Sequence, residues 1–175
     1  MKTLIPFANT PLSDLFKVEA EVYTETLESL LIEYKVSGPL HQLIFPVQSF
    51  VESRRDELWK ATCLEAFFST DSAASTPYIE MNCAPNGDWN AYEFSSYRQG
   101  MKASEDLKVR LIHREGSEEE VLFRVRIEGA SLRGKKWASL TTILQFQDGT
   151  HSYWALKHPR PQPDFHDKGA FIAPL

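Results

Sequence analysis

Apolar and polar residues alternate along most of this chain with the period of two that marks a half-buried β-strand. Residues 16–24 (FKVEAEVYT) set Phe16, Val18, Ala20 and Val22 on one side. Residues 28–37 follow, ending at Ser37-Gly38-Pro39, a strong turn signal. After the polar break SRRDE (53–57), residues 59–68 predict a strand with Leu64, Ala66 and Phe68 on one side and Cys63, Glu65 and Phe67 on the other. STDSAASTP is loop-like. Residues 78–84 predict the next strand, with Ile79, Met81 and Cys83 opposite Tyr78, Glu80 and Asn82. Pro85-Asn86-Gly87-Asp88 reads as a hairpin turn, because Asn and Gly accept positive φ, and residues 89–95 run back from it.

The second half repeats the style. Residues 108–114 and 120–128 form a hairpin around Glu115-Gly116-Ser117, and 138–147 with 151–157 another around Asp148-Gly149. Residues 97–107 are the one weak helical candidate, and they contain Gly100. The tail from 158, HPRPQPDFHDKGAFIAPL, holds four of the ten prolines and is expected to be extended. About nine or ten short strands with regular turns predict an all-β antiparallel sandwich of jelly-roll type. A chain of 175 residues fits one such domain, 1–175, with 158–175 as an extended appendage.

Composition narrows the partners. A net charge of −5 argues against nucleic acid or an anionic membrane, both of which call for a basic surface. No run approaches the ~20 apolar residues of a membrane span. The N-terminal apolar stretch is broken by Pro6 and Asn9, so no leader is read there and the cytoplasm is expected. Cys63 and Cys83 fit a reducing compartment as buried free thiols, and neither belongs to a CxxC. Aromatic residues at 12% suit a β-rich core.

The candidate chemistry gathers in residues 58–94. Glu65 and Glu80 each sit among apolar neighbours on adjacent strands, with Asn82 close by and Glu93 on the next strand. Paired carboxylates can act as acid and base, bind Ca²⁺ or accept hydrogen bonds from sugar hydroxyls. Alternatively they pair with arginines on facing strands: Arg124 and Arg126, which share one face of their strand, or Arg98 and Arg110. Trp59 and Trp89 bracket the acidic pair, and indole faces stack on the C–H faces of sugars. Trp137 and Trp154 read as core. The histidines 41, 113, 151, 158 and 166 match no metal template, and GxSxG, Walker and GxGxxG motifs are absent.

LWKATCLEAFF, YIEMNCAPNGDWNAYEFSSYRQGM and the tail HPRPQPDFH together resemble the bacterial stand-alone DOMON-like proteins, which are similar to family 9 carbohydrate-binding modules. The resemblance runs from about residue 20 to residue 170. It implies a jelly-roll-like sandwich whose concave face binds a sugar or a haem. In the sugar-binding case Trp59 and Trp89 take the role of stacking rings. Glu65, Glu80, Asn82 and Arg98 take the polar role, with Arg124 and Arg126 as further candidates. In the haem-binding case Met101 with a tail histidine is the available axial pair. The leading expectation is a non-catalytic module for a carbohydrate or similar polar small molecule, without cofactor. A haem-binding domain, a glycoside-acting enzyme and a purely structural or interaction sandwich stand as alternatives.

Overall fold

The computed structural model describes residues 1–47, 51–71, 73 and 75–175. Twelve strands carry the fold: β1 (Lys2–Pro6), β2 (Lys17–Thr26), β3 (Ser29–Ser37), β4 (Cys63–Ser69), β5 (Tyr78–Cys83), β6 (Trp89–Phe94), β7 (Lys102–Ala103), β8 (Lys108–Gly116), β9 (Glu120–Glu128), β10 (Trp137–Gln145), β11 (His151–Ala155) and β12 (Ala173–Pro174). Short 3₁₀ turns interrupt the loops, and the described residues contain no α-helix. No helix among them is long and apolar enough to cross a membrane.

Every strand pairing is antiparallel, in the order β7-β6-β5-β4-β10-β11-β1-β2-β3-β9-β8, with β12 added beside β10. β1 is the corner. Its Ile5 and Pro6 pair with β11, whereas Lys2 to Leu4 pair with β2. The two halves of the sheet thus pack face to face as a sandwich. One half contributes Leu64, Ala66, Phe68, Ile79, Met81 and Leu140 to the core, the other Val18, Ile32, Tyr34, Phe123 and Val125. Tyr34 crosses the core fully buried, and its hydroxyl donates to the Glu65 carbonyl at 2.6 Å. Burial, with the neighbouring Glu65 carboxyl, pushes this phenol well above its ordinary value.

The turns follow the sequence chemistry. Gly87 and Gly149 both take positive φ in the predicted hairpin turns, and Asn86 Oδ1 accepts the Asp88 N–H at 3.1 Å. Three expectations change. The strand placed at 59–68 starts only at Cys63, because Leu58–Lys60 forms a 3₁₀ turn that lifts Trp59 off the sheet. Residues 97–107 are not helical: Arg98 and Gly100 take left-handed φ of 53° and 65°, and the segment then pairs as β7. The N-terminal apolar stretch, to which no strand was assigned, supplies β1.

The tail matters most for function. The tail covers the outer face of the β6-β5-β4-β10 sheet with Phe165 and Phe171 before β12 pairs beside β10. Phe165 and Phe171 bury themselves there against Phe67, Tyr78, Tyr92, Phe94, Ile143 and Ala155, forming a second apolar cluster. β4 and β5 are therefore buried on both faces along their whole length. Lys168 tethers the tail, its Nζ donating to the carbonyls of Ala73 at 2.7 Å and Thr76 at 2.5 Å.

Candidate functional site

Register decides which side chains share the concave face. Glu65 lies opposite Asn82, Phe67 opposite Glu80, and Glu80 opposite Tyr92. Cross-strand partners point the same way, so Glu65, Glu80 and Asn82 are brought together. Glu65 and Glu80 are diagonal neighbours, a relation that sets residues about 7–8 Å apart. The tail does not fill the whole face. It leaves a cavity of about 340 Å³ with Glu65 and Glu80 in its lining, walled by Trp59, Phe67, Phe94, Tyr153 and Phe165 and edged by Arg98, Met101 and His166.

The carboxyls are deeply buried, Glu65 at 2% exposure and Glu80 at 4%. Asn82 Nδ2 donates to Glu80 Oε1 at 2.7 Å. Asn82 thus supports Glu80 along the strand and is absent from the cavity lining. Glu65 Oε1 has no hydrogen-bond partner among the described residues. Removal from water pushes the Glu80 carboxyl up to about 7, against the smaller pull of Asn82 and Arg98. Glu65 is driven well above the usual carboxylate range by the same burial and by the neighbouring Glu80 charge.

His166 comes from the tail. Its Nδ1 is 2.7 Å from the Tyr78 hydroxyl, and its Nε2 is 3.9 Å from Glu80 Oε2. That second contact has the distance of an ion pair, but the imidazole is held uncharged by burial. Burial disfavours both charged forms, lowering His166 to about 4 while raising Glu80. Phe67 and Phe94 meet the imidazole edge-on at 5.2 and 5.1 Å. Arg98 borders the cavity but its charge is already matched, since Nη2 donates to buried Asp164 at 2.9 Å. Tyr97 donates to the same Asp164, and the Arg98 backbone N–H donates to the Tyr78 hydroxyl at 3.2 Å. Trp59 stands edge-on to Tyr92, ring centres 5.8 Å apart.

The remaining sequence candidates lie elsewhere. Trp89 points to the opposite face of its strand from Asn90 and Tyr92, packs on the main core, and carries the Arg54 guanidinium 5.0 Å from its ring centre. Arg124 and Arg126 alternate with the buried Phe123, Val125 and Ile127 on β9, in the other half of the sandwich. They face outward and bind Glu33 at 2.7 Å and Glu25 at 2.8 Å. They are not the partners of Glu65 and Glu80, which have no arginine at salt-bridge distance among the described residues. Glu93 faces away as well and bonds Ser104 and Lys102. The wall residues Phe67, Phe94, Tyr153 and Phe165 were not read as site residues, and His166 entered only as the tail histidine of the haem alternative. Their signal was present in the alternation of β4 and β6, but the tail's course was not.

Met101 and His166 are the axial pair that the haem alternative implies, and both border the cavity. The fit is poor. Both imidazole nitrogens are directed at Tyr78 and Glu80, and the volume is at the small end for ligand pockets. Two buried carboxyls also oppose an anionic macrocycle. Among the described residues no cluster of His, Cys, Asp and Glu suits a metal ion. Cys63 and Cys83 are free, buried thiols.

No family model matches the chain, and no curated protein matches it. Among solved structures the chain is similar to a putative carbohydrate-binding protein from Bacteroides uniformis, with a TM-score of 0.60 and 14% identity over 96% of this chain and 83% of that one. At that identity the likeness is one of fold.

Proposed function

We propose that the protein is a non-catalytic binding module that takes a carbohydrate or a similar polar small molecule in the cavity on its concave face. The observation that carries the reading is the pair of buried carboxyls in an aromatic-walled cavity, one with an oxygen that has no hydrogen-bond partner among the described residues. A purely structural sheet gains nothing from such groups, since an unsatisfied buried polar atom costs about 1–3 kcal/mol. A ligand rich in hydroxyls supplies donors for the carboxyls and apolar C–H faces for Trp59 and the phenyl rings. The description of the Bacteroides neighbour as a putative carbohydrate-binding protein supports the same class of role.

Within this reading Trp59 provides the stacking surface, because it is mounted on a turn at the cavity mouth and not in the sheet. Glu65 and Glu80 fix the ligand's polar groups, and Asn82 holds Glu80 in place. The test is a glycan array followed by calorimetry with Trp59→Ala and Glu80→Gln. Each variant should lose binding while keeping the cooperative unfolding transition of the parent. A variant that folds and still binds as tightly as the parent would remove that residue from the site.

A further inference from the structure

The cavity holds two carboxyls that lack cationic partners among the described residues. Glu65 and Glu80 both line it, and neither has a cation at hydrogen-bond distance among the described residues. Arg98, the one cationic side chain in the lining, is already matched by buried Asp164 at 2.9 Å. His166 presents Nε2 3.9 Å from Glu80 Oε2, beyond hydrogen-bond length, which leaves that oxygen without a strong donor from the imidazole. The same cavity is lined by the aromatic rings of Trp59, Phe67 and Phe94. Flat rings around a site with unmatched carboxyls are the surroundings that favour an organic cation, by attraction to ring faces and by charge-assisted hydrogen bonds.

We infer that the cavity takes a ligand bearing a protonated amine, an amino sugar being the member of the carbohydrate class that fits, with the ammonium seated between Glu65 and Glu80. The inference rests on the cavity being a ligand site. A neutral sugar hydroxyl offers one donor and no charge, so the two carboxyls stay uncompensated. An ammonium offers three donors and one positive charge. It bridges the unpartnered Glu65 Oε1 and the Glu80 oxygen that Asn82 does not hold, while the rest of the sugar ring lies against Trp59. Burial raises both carboxyls above their usual range, and an ammonium seated between them opposes that shift by favouring the ionised forms.

The experiment is calorimetry on the full chain at neutral pH with four probes: D-glucosamine, N-acetyl-D-glucosamine, D-glucose and cyclohexylamine. One charge-assisted hydrogen bond gained should make glucosamine bind about tenfold or more tighter than its N-acetyl derivative or glucose. Glu65→Gln and Glu80→Gln, checked for folding by thermal melts, should each erase that preference. Equal affinity for glucosamine and glucose overturns the inference and leaves the carbohydrate reading in place. So does a preference that survives in both Gln variants. Binding of cyclohexylamine with no saccharide bound supports the ammonium site and sinks the carbohydrate reading. If neither amine binds, the inference falls, and the glucose arm alone then reports on carbohydrate binding.

Discussion

Replacing Glu80 by Gln tests the electrostatic account of the site directly. Gln keeps the Oε1 acceptor for Asn82 Nδ2, now at 2.7 Å, and resembles the protonated acid in shape. A carboxyl raised in the fold from 4.5 to about 7 favours folding only in its protonated form. Its contribution is therefore complete below the unfolded value and is lost as pH rises through the folded one. The loss amounts to roughly 3 kcal/mol at pH 8 and under about 1 kcal/mol at pH 5. His166 runs the other way. Held at about 4 in the fold against 6.5 unfolded, it destabilises the protein as pH falls below the unfolded value, by roughly 2 kcal/mol at pH 5. The groups that face this pair are Glu65 and Cys63 from β4, Tyr78 from β5, Tyr92 from β6, Arg98, and Asp164 from the tail. Glu65 is shifted in the same direction as Glu80, so it adds to the same slope. The parent's own profile blends opposing slopes, and the difference between parent and variant isolates Glu80. Urea unfolding at pH 5, 6, 7 and 8 should show Glu80→Gln gaining on the parent with rising pH, to roughly 3 kcal/mol at pH 8. A difference that stays constant from pH 5 to pH 8 would refute the burial argument.

Three further outcomes follow from the tail and the turns. Truncation after Lys157 removes Phe165 and Phe171 from the second cluster, losing roughly 2 kcal/mol of apolar burial for each ring; dye binding to exposed apolar surface should rise, and ligand binding should vanish. Lys168→Met leaves the Ala73 and Thr76 carbonyls without their ammonium donor and should cost roughly 1–3 kcal/mol in chemical denaturation, with normal folding of the main core. Gly38→Ala sets a Cβ 2.6 Å from the Leu15 carbonyl oxygen at a φ of 140°, so it should lose more than about 1 kcal/mol. Gly149→Ala, at positive φ but with nothing near the new Cβ, should lose less in the same thermal melt.

Strand alternation made the sandwich readable because nine of its strands each bury at least one face, and each carries a side-chain period of two. The short elements were invisible for the opposite reason. β1, β7 and β12 are too short or too irregular to show a period, and they exist through pairing with distant strands. Glu65 and Glu80 could be placed on one face from sequence because their strands pair in the register that alternation demands. Trp89 could not be excluded, since a one-residue offset in register moves an entire strand's side chains to the other face. Arg124 and Arg126 were misassigned because alternation gives a face but not which half of the sandwich it belongs to. Their partners, Glu33 and Glu25, come from β2 and β3. The tail's prolines were read as an extended chain, and the tail runs through bends, turns and a 3₁₀ turn at Lys168–Ala170. Its destination depends on Phe165, Phe171 and Lys168 finding apolar and carbonyl partners made by strands about 70–100 residues earlier.

That destination bears on whether the carboxyls are structural or functional. The tail converts an exposed sheet face into a second interior, and an interior is the costly place for two carboxyls without counter-charges. Most other polar groups on this face have partners; among the described residues Ser139 Oγ, on β10 opposite Phe67, is an exception outside the cavity lining. Asp164 has Tyr97 and Arg98, Asn90 has Tyr92 and Asp56, and Lys168 has two carbonyls. Glu65 stands apart with an unpartnered oxygen, and Glu80 with one oxygen that the His166 contact does not satisfy. Both border the cavity that the tail leaves open. Buried carboxyl oxygens that lack partners and border a cavity are placed to meet something that enters it. On this argument Glu65→Leu should stabilise the folded chain while it abolishes binding. Replacing a structural ion pair member in the same way would unfold the protein.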